Sequence, residues 1–234
     1  MKQFVKFEDI GLKEYGETWG YQEELFNELL SVKREKKGSG EGAKEALNRL
    51  IFVEHPHVYT LGKSGSENNL MLDHIQLQAK DATFFRIDRG GDITYHGPGQ
   101  IVGYPIFDLE MFGLSLKDYI IALEEAIILT IGEYGIEAGR LKGATGVWLD
   151  SDRPDRARKI CAIGIRASRY VTMHGFAFNV NTNLDYFNFI NPCGFTDKGV
   201  TSLQKELGTS QDIAAVKKVL REKLEKIFGI EWVN

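Results

Sequence analysis

Two side chains can form a covalent bond with a substrate through sulfur, Cys161 and Cys193. A thiol attacks as its thiolate, and at an ordinary pKa of about 8.5 only a few per cent is ionised at neutral pH, so a catalytic cysteine needs a cation beside it. Cys161 lies in Lys-Ile-Cys-Ala-Ile-Gly-Ile, a strand pattern in which cysteine commonly packs as a small, inert hydrophobe. Cys193 sits between Pro192 and Gly194, a turn signal that presents a thiol at a surface with backbone N–H groups nearby. The candidate cations are Lys159, at the start of the Cys161 strand, His96 within Thr-Tyr-His-Gly-Pro-Gly, and His174 before Gly175. Each also has an ordinary reading: a solvated strand-edge lysine, or histidines hydrogen-bonded to hold a glycine loop. No CxxC or HExxH occurs, and Pro56 splits His55 from His57, so no metal is expected. Arg89-Gly90-Gly91 fits neither phosphate-binding glycine pattern and precedes no helix signal.

These residues need elements to hold them. Tyr15 to Lys37 has apolar residues near helical spacing, and KREKKGSGEGAK at 33–44 reads as a solvated loop. Residues 46–62 read as a strand, a turn at Pro56 and a second extended piece, and Thr83 to Asp88 as a strand. The glycine- and proline-rich run 89–109 calls for backbone that allows close approach or positive φ. Leu116 to Tyr134, capped by Ser115 with Asp118 three residues on, should be the most buried helix. GVWL, KICAIGIRAS and VTMHGFAFNVN read as three strands, and a last amphipathic helix begins near Ser210. Such irregular alternation with hairpin-like neighbours favours an α+β fold, a sheet backed by helices, over strict βαβ winding.

At 234 residues, 43% hydrophobic and 26% charged, the chain suits one globular domain spanning 1–234. A net charge of −4 argues against wholesale nucleic-acid binding. The basic clusters Lys33–Lys37 and Arg153–Lys159 read as solvated faces, the second able to meet an acidic protein. No run approaches the roughly 20 apolar residues of a membrane span, and no signal-peptide core opens the sequence. The expectation is a cytoplasmic protein without membrane contact whose cysteines remain thiols.

EHPHVYTLG at 54–62, RGGDITYHGPGQIVGYPIFDL at 89–109, GVWL at 146–149, KICAIGIRASRYVTMHGFAFNVN at 159–181 and INPCG at 190–194 together resemble the octanoyltransferase family of lipoate biosynthesis. The resemblance spans about 46–203 in the family's order. It implies a fold similar to the biotin and lipoate protein ligase catalytic domain, an α/β sandwich with a mixed sheet. It implies transfer of an octanoyl group, without a cofactor, from octanoyl-acyl carrier protein to a lysine of a lipoyl domain. The acceptors would be lipoyl domains of 2-oxoacid dehydrogenase complexes and the glycine cleavage carrier protein. The family's nucleophile matches Cys193 and its essential lysine matches Lys159. Its acyl-binding segments match Arg89, Gly90, Gly91, Asp92, Ile93, Thr94, Tyr95 and His96, then Ala162, Ile163 and Gly164, then Gly175, Phe176 and Ala177. Residues 33–44 and Asp150–Arg158 look longer than the family's shortest forms, which bears on protein docking.

In physical terms, a Lys159 ammonium would stabilise the Cys193 thiolate and later accept a proton from the incoming amine. Thioester exchange is near thermoneutral and amide formation downhill, so no nucleotide is needed. An apolar slot burying six or so methylenes would contribute on the order of 5 kcal/mol. Glycines in the RGG and AIG segments are expected to let backbone line that slot. Two rivals stand beside this reading: an ATP-dependent lipoate or biotin ligase, which needs no placed cysteine, and a non-catalytic acyl-protein binding module.

Overall fold

A computed structural model describes residues 2–38, 47–153, 155–191 and 199–233 of the chain. In chain order the elements are β1 (Gln3–Leu12), α1 (Tyr15–Gly38), β2 (Asn48–Glu54), β3 (Val58–Leu61), α2 (His74–Gln78), β4 (Thr83–Arg86), β5 (Ile93–His96) and β6 (Gln100–Ile106). There follow α3 (Leu109–Phe112), α4 (Leu116–Gly132), β7 (Gly139–Leu141), β8 (Ala144–Leu149), β9 (Arg158–Ser168) and β10 (Val171–Asn179). The chain continues through β11 (Gly199–Val200), α5 (Leu203–Leu207), α6 (Ile213–Phe228) and β12 (Ile230–Val233).

The main sheet runs β12-β1-β2-β6-β10-β9-β8-β7, with β11 added beside β9. It is mixed: β1 is parallel to both β12 and β2, β11 is parallel to β9, and the other neighbours are antiparallel. Central β6 and β10 are buried at every position, which accounts for their nearly unbroken apolar sequences. The α4 and α6 helices cover one face, laying Leu123, Ile127, Leu220 and Leu224 on Phe52, Ile101 and Phe178. On the opposite face α1 packs Leu25, Phe26 and Leu29 against Ile51, Val53 and Val102. The rest of that face lies under a small sheet, β4-β3-β5, with its own core of Tyr59, Leu77, Tyr95 and Ile190. This is the α+β arrangement, a mixed sheet backed by helices, expected from the sequence.

The Ser115 cap of α4 forms as expected, its Oγ accepting from the Asp118 N–H at 3.2 Å. The solvated loop expected from residue 33 does not begin there. Helix α1 continues to Gly38, and Lys33 is buried because its ammonium meets Asp108 at 2.5 Å and Glu110 at 2.9 Å; residues 39–46 lie outside the described residues. Likewise Arg158 is not part of a solvated basic face: its Nε and Nη2 donate to the two carboxylate oxygens of Glu206, each at 2.7 Å. Among the described residues no helix is long and apolar enough to cross a membrane.

Candidate active site

A cavity of about 600 Å³ opens between the main sheet and the small one, within the range that accommodates small molecules. Its floor is built by the sheet register. Ala177 pairs with Ala162 and Gly175 with Gly164, so four small residues lie side by side on neighbouring strands. Val102 extends this apolar floor onto β6, while Arg89, Thr94, His96 and Phe187 help form the roof and walls.

Of the residues matched to acyl binding, Arg89, Gly91, Asp92, Ile93, Thr94, His96, Ala162, Ile163, Gly164, Gly175, Phe176 and Ala177 line the cavity. Gly90 and Tyr95 lie behind it. The Gly90 N–H donates to the Ile165 carbonyl at 2.9 Å, stapling the glycine strap to β9. Tyr95 is fully buried against Tyr59 and Tyr186, with its hydroxyl 2.6 Å from His57 Nδ1. Gly164 lines the cavity, as expected of the AIG glycine, and it also has a packing role. A Cβ on Gly164 would stand 2.9 Å from the Gly90 carbonyl oxygen and 3.1 Å from Arg89 Cδ, so this glycine lets the strap lie flat on the strand. The Arg89 guanidinium in turn donates to Thr60 O at 2.7 Å and to Gly90 O at 3.0 Å.

Lys159 lines the cavity, its ammonium 4.7 Å from the centre of the Trp148 ring. A bulge explains its direction. Between the pairs Val147↔Cys161 and Trp148↔Lys159 the strand β9 carries one extra residue, Ile160. Both Ile160 and Cys161 then join the core beneath α4, while Lys159 and Ala162 on either side line the cavity; bulges commonly re-aim side chains in this way. Cys161 is therefore the inert thiol, and burial pushes its pKa well up, away from the thiolate. Cys193 lies outside the described residues, yet Ile190 and Gly199, which bracket its segment, both line the cavity. Before it, the Asn191 N–H donates to Asn69 O at 2.9 Å, and Asn69 Nδ2 donates to Asp92 Oδ2 at 2.6 Å. After it, β11 pairs Val200 with Lys159, and the Thr201 N–H donates to Lys159 O at 3.0 Å.

The two histidines weighed as cations are both buried. His96 Nδ1 lies 2.9 Å from Gln100 Oε1, and burial lowers its pKa to about 3, so it is neutral at physiological pH. The pKa of His174 is also lowered, chiefly by burial, against the opposing pull of Asp88. Burial thus works against the cationic form of both. A polar line crosses the cavity instead: Gln100 Nε2 donates to Asn179 Oδ1 at 2.9 Å, and Asn179 Nδ2 donates to Thr201 O at 3.1 Å. It joins His96 in the roof to the strand end that carries Lys159. Gln100 and Asn179 were not singled out from the sequence, although each is a polar residue at the end of a strand, Gln100 opening β6 and Asn179 closing β10. Tyr15 and Trp148, which also line the cavity, carry no such mark. Among the described residues no group of three His, Cys, Asp or Glu is placed to hold a metal ion.

A family model described as the lipoyl protein ligase A/B catalytic domain matches residues 14–225. An octanoyltransferase of Bacteroides fragilis is 59% identical over 216 residues, covering 92% of this chain and 94% of the relative. Another octanoyltransferase, from Flavobacterium johnsoniae, is 54% identical over 234 residues and covers 100% of both chains. Among solved structures, a bipartite lipoate protein ligase from Thermoplasma acidophilum, studied with its E2 lipoyl domain, superposes with a TM-score of 0.67 at 13% identity, covering 100% of this chain and 86% of that one. That likeness bears on the fold.

Proposed function

The chain belongs to the lipoyl protein ligase A/B catalytic domain family, alongside its octanoyltransferases, and on that premise we propose that it transfers an octanoyl group from octanoyl-acyl carrier protein to a lysine of lipoyl domains. The observation that carries the reading is the position of Lys159, turned by its bulge into the cavity that Ile190 and Gly199 also line.

The Cys193 thiolate attacks the carrier thioester, the tetrahedral intermediate collapses, and the carrier leaves as a thiolate that takes up a proton. Cys193 then holds the octanoyl group as a thioester. In the second half the neutral amine of the acceptor lysine attacks that carbonyl, gives up a proton, and expels the Cys193 thiolate as the amide forms. Lys159 acts in both halves, as the cation that favours the thiolate and as the group that exchanges the proton. The floor of Ala162 and Ala177 receives the chain, where six buried methylenes supply on the order of 5 kcal/mol. Acceptors of this class include lipoyl domains of 2-oxoacid dehydrogenase complexes and the glycine cleavage carrier protein.

The test is turnover of octanoyl-carrier protein with an isolated lipoyl domain, without ATP. Wild type is expected to turn over, and Lys159→Ala to lose at least about a hundredfold, the usual weight of one acid–base group, with its fold retained. A rise in the pH at which the Cys193 thiol of Lys159→Ala is alkylated would accompany the loss. Turnover that requires ATP, or that survives in Lys159→Ala at an unchanged rate, refutes the reading. Binding of the acylated carrier without turnover would favour the non-catalytic module.

A further inference from the structure

The wall of the cavity beside Lys159 is an aromatic ring. Trp148 on β8 stands directly opposite Lys159 on β9, a placement that sets two side chains on one face of a sheet within reach of each other. The Lys159 ammonium lies 4.7 Å from the centre of the ring, inside the roughly 6 Å over which a ring face attracts a cation. Tryptophan attracts a cation more strongly than tyrosine or phenylalanine does. Lys159 is half-buried, so water screens the attraction only in part.

The ring is locked in place. Its Nε1–H donates to the Ala144 carbonyl at 2.9 Å, folding the indole back over its own strand. It is buried and packs with Ala144, Ala157 and Leu141. The strand beneath it is fixed as well. Gly146 has a φ of +119°, and a Cβ there would stand 2.5 Å from the Cys161 carbonyl oxygen and 3.5 Å from Lys159 Cε. Glycine therefore lets β8 lie close against the bulge and leaves room for the lysine stem. The Gly146 N–H donates to Glu124 Oε1 at 3.0 Å, and Glu124 Oε2 accepts from Arg140 Nε at 3.0 Å. A buried carboxylate on α4 thus ties β8 down two residues before Trp148.

We propose that Trp148 is a positioning residue for the transfer, its ring face holding the Lys159 ammonium in the one direction from which that group serves the cavity. The role rests on the acyl-transfer reading above, in which Lys159 acts as a cation. A lysine head is a compact, strongly hydrated charge on a flexible four-carbon stem, and fixing such a stem costs rotamer entropy. The attraction of the ring offsets that cost before substrate arrives. It acts on the ammonium, the form that the first half of the reaction uses. Trp148 makes and breaks no bond.

The experiment places tryptophan with one to four ring fluorines at position 148 alone in the full chain, leaving Trp19 and Trp232 natural. Fluorine withdraws charge from the ring face while keeping the shape and the N–H of the ring. Single-turnover acylation by octanoyl-carrier protein, without acceptor, is timed by intact mass over a range of carrier concentrations. The maximal rate should fall with each fluorine, by about twofold to thirtyfold in all, the worth of one cation–π contact. The thermal unfolding midpoint and the carrier concentration for half-maximal rate should stay close to those of wild type. Trp148→Phe, which keeps a ring face, should retain more of the rate than Trp148→Leu, although both lose core packing. A rate that is flat or rises across the fluorine series overturns the role. So does a fall that follows the unfolding midpoint, or one confined to the half-maximal concentration, either of which makes Trp148 an ordinary wall. A wild type that forms no acyl-enzyme strikes instead at the acyl-transfer reading, and the role falls with it.

Discussion

Replacing Gly164 by alanine adds one carbon where the glycine strap lies on β9. That carbon would stand 2.9 Å from Gly90 O, 3.1 Å from Arg89 Cδ and 3.3 Å from Arg89 Nη1, whereas ordinary contact begins near 3.4 Å. The strap must therefore retreat by about 0.5 Å, the difference between 3.4 and 2.9 Å. The same movement stretches the Gly90 N–H bond to Ile165 O from 2.9 Å toward the limit of useful hydrogen bonding at about 3.2 Å. Arg89 cannot yield easily, because Thr60 and Gly90 hold its guanidinium. Overpacking of this kind costs about 1–3 kcal/mol, and a weakened backbone bond up to about 1 kcal/mol more. Equilibrium unfolding should show a loss of about 2 kcal/mol, and kcat/KM for octanoyl transfer should fall about thirtyfold if a similar amount is lost from substrate positioning. Gly20 is the control: it is exposed inside α1 with nothing within 4 Å of an added Cβ. Gly20→Ala should stabilise by about 0.5–1 kcal/mol and leave activity unchanged. A Gly164→Ala protein as stable and active as wild type would refute the stapled strap.

Asn179→Ala removes the partner of Thr201 O and one of the two acceptors of Gln100 Nε2, which keeps Tyr95 O at 3.2 Å; at about 1–3 kcal/mol per unmet buried group, stability should fall by about 2–6 kcal/mol, measured by thermal or denaturant unfolding. Its kcat should fall more than that of a surface variant, since Thr201 also bonds the Lys159 carbonyl. Stability should decline as pH falls from about 6.5 toward 4, before most carboxylates titrate. Burial holds His55 down at about 4 and His96 at about 3, so in that window the unfolded chain binds the extra protons, and His55 alone accounts for on the order of 3 kcal/mol. A flat unfolding midpoint between pH 7 and 4.5 would contradict this.

The reach of the sequence differs from element to element. Helix α4 was legible from its Ser115 cap and its apolar stretch, and the strands around Cys161 and His174 from their composition, because these are local properties. The pairing of Gly175 with Gly164 and Ala177 with Ala162 is not local, and neither is the division of residues 46–62 between two sheets, β2 in one and β3 in the other. Lys33 read as a solvated charge because Asp108 and Glu110, its partners, lie some 75 residues away in sequence. β1 and β12 were missed; β12 pairs with β1 at the sheet edge only once the chain closes on itself. Lys159 was singled out as a strand-end lysine, but simple alternation would set it on the same face as Cys161. The extra residue Ile160 breaks that alternation, and only the register reveals it. His174 was weighed as a cation; it is buried, with Nε2 3.0 Å from Asp88 Oδ1, and burial works against its charged form.

The most direct test of the account is to locate the acyl group. The protein is incubated with octanoyl-carrier protein and no acceptor, quenched in acid and digested, and the peptides carrying Cys161 and Cys193 are weighed with and without hydroxylamine. The account predicts one octanoyl increment on the Cys193 peptide, removed by hydroxylamine, and none on the Cys161 peptide. An octanoyl group on Cys161, or on neither cysteine while transfer to a lipoyl domain proceeds, would contradict it.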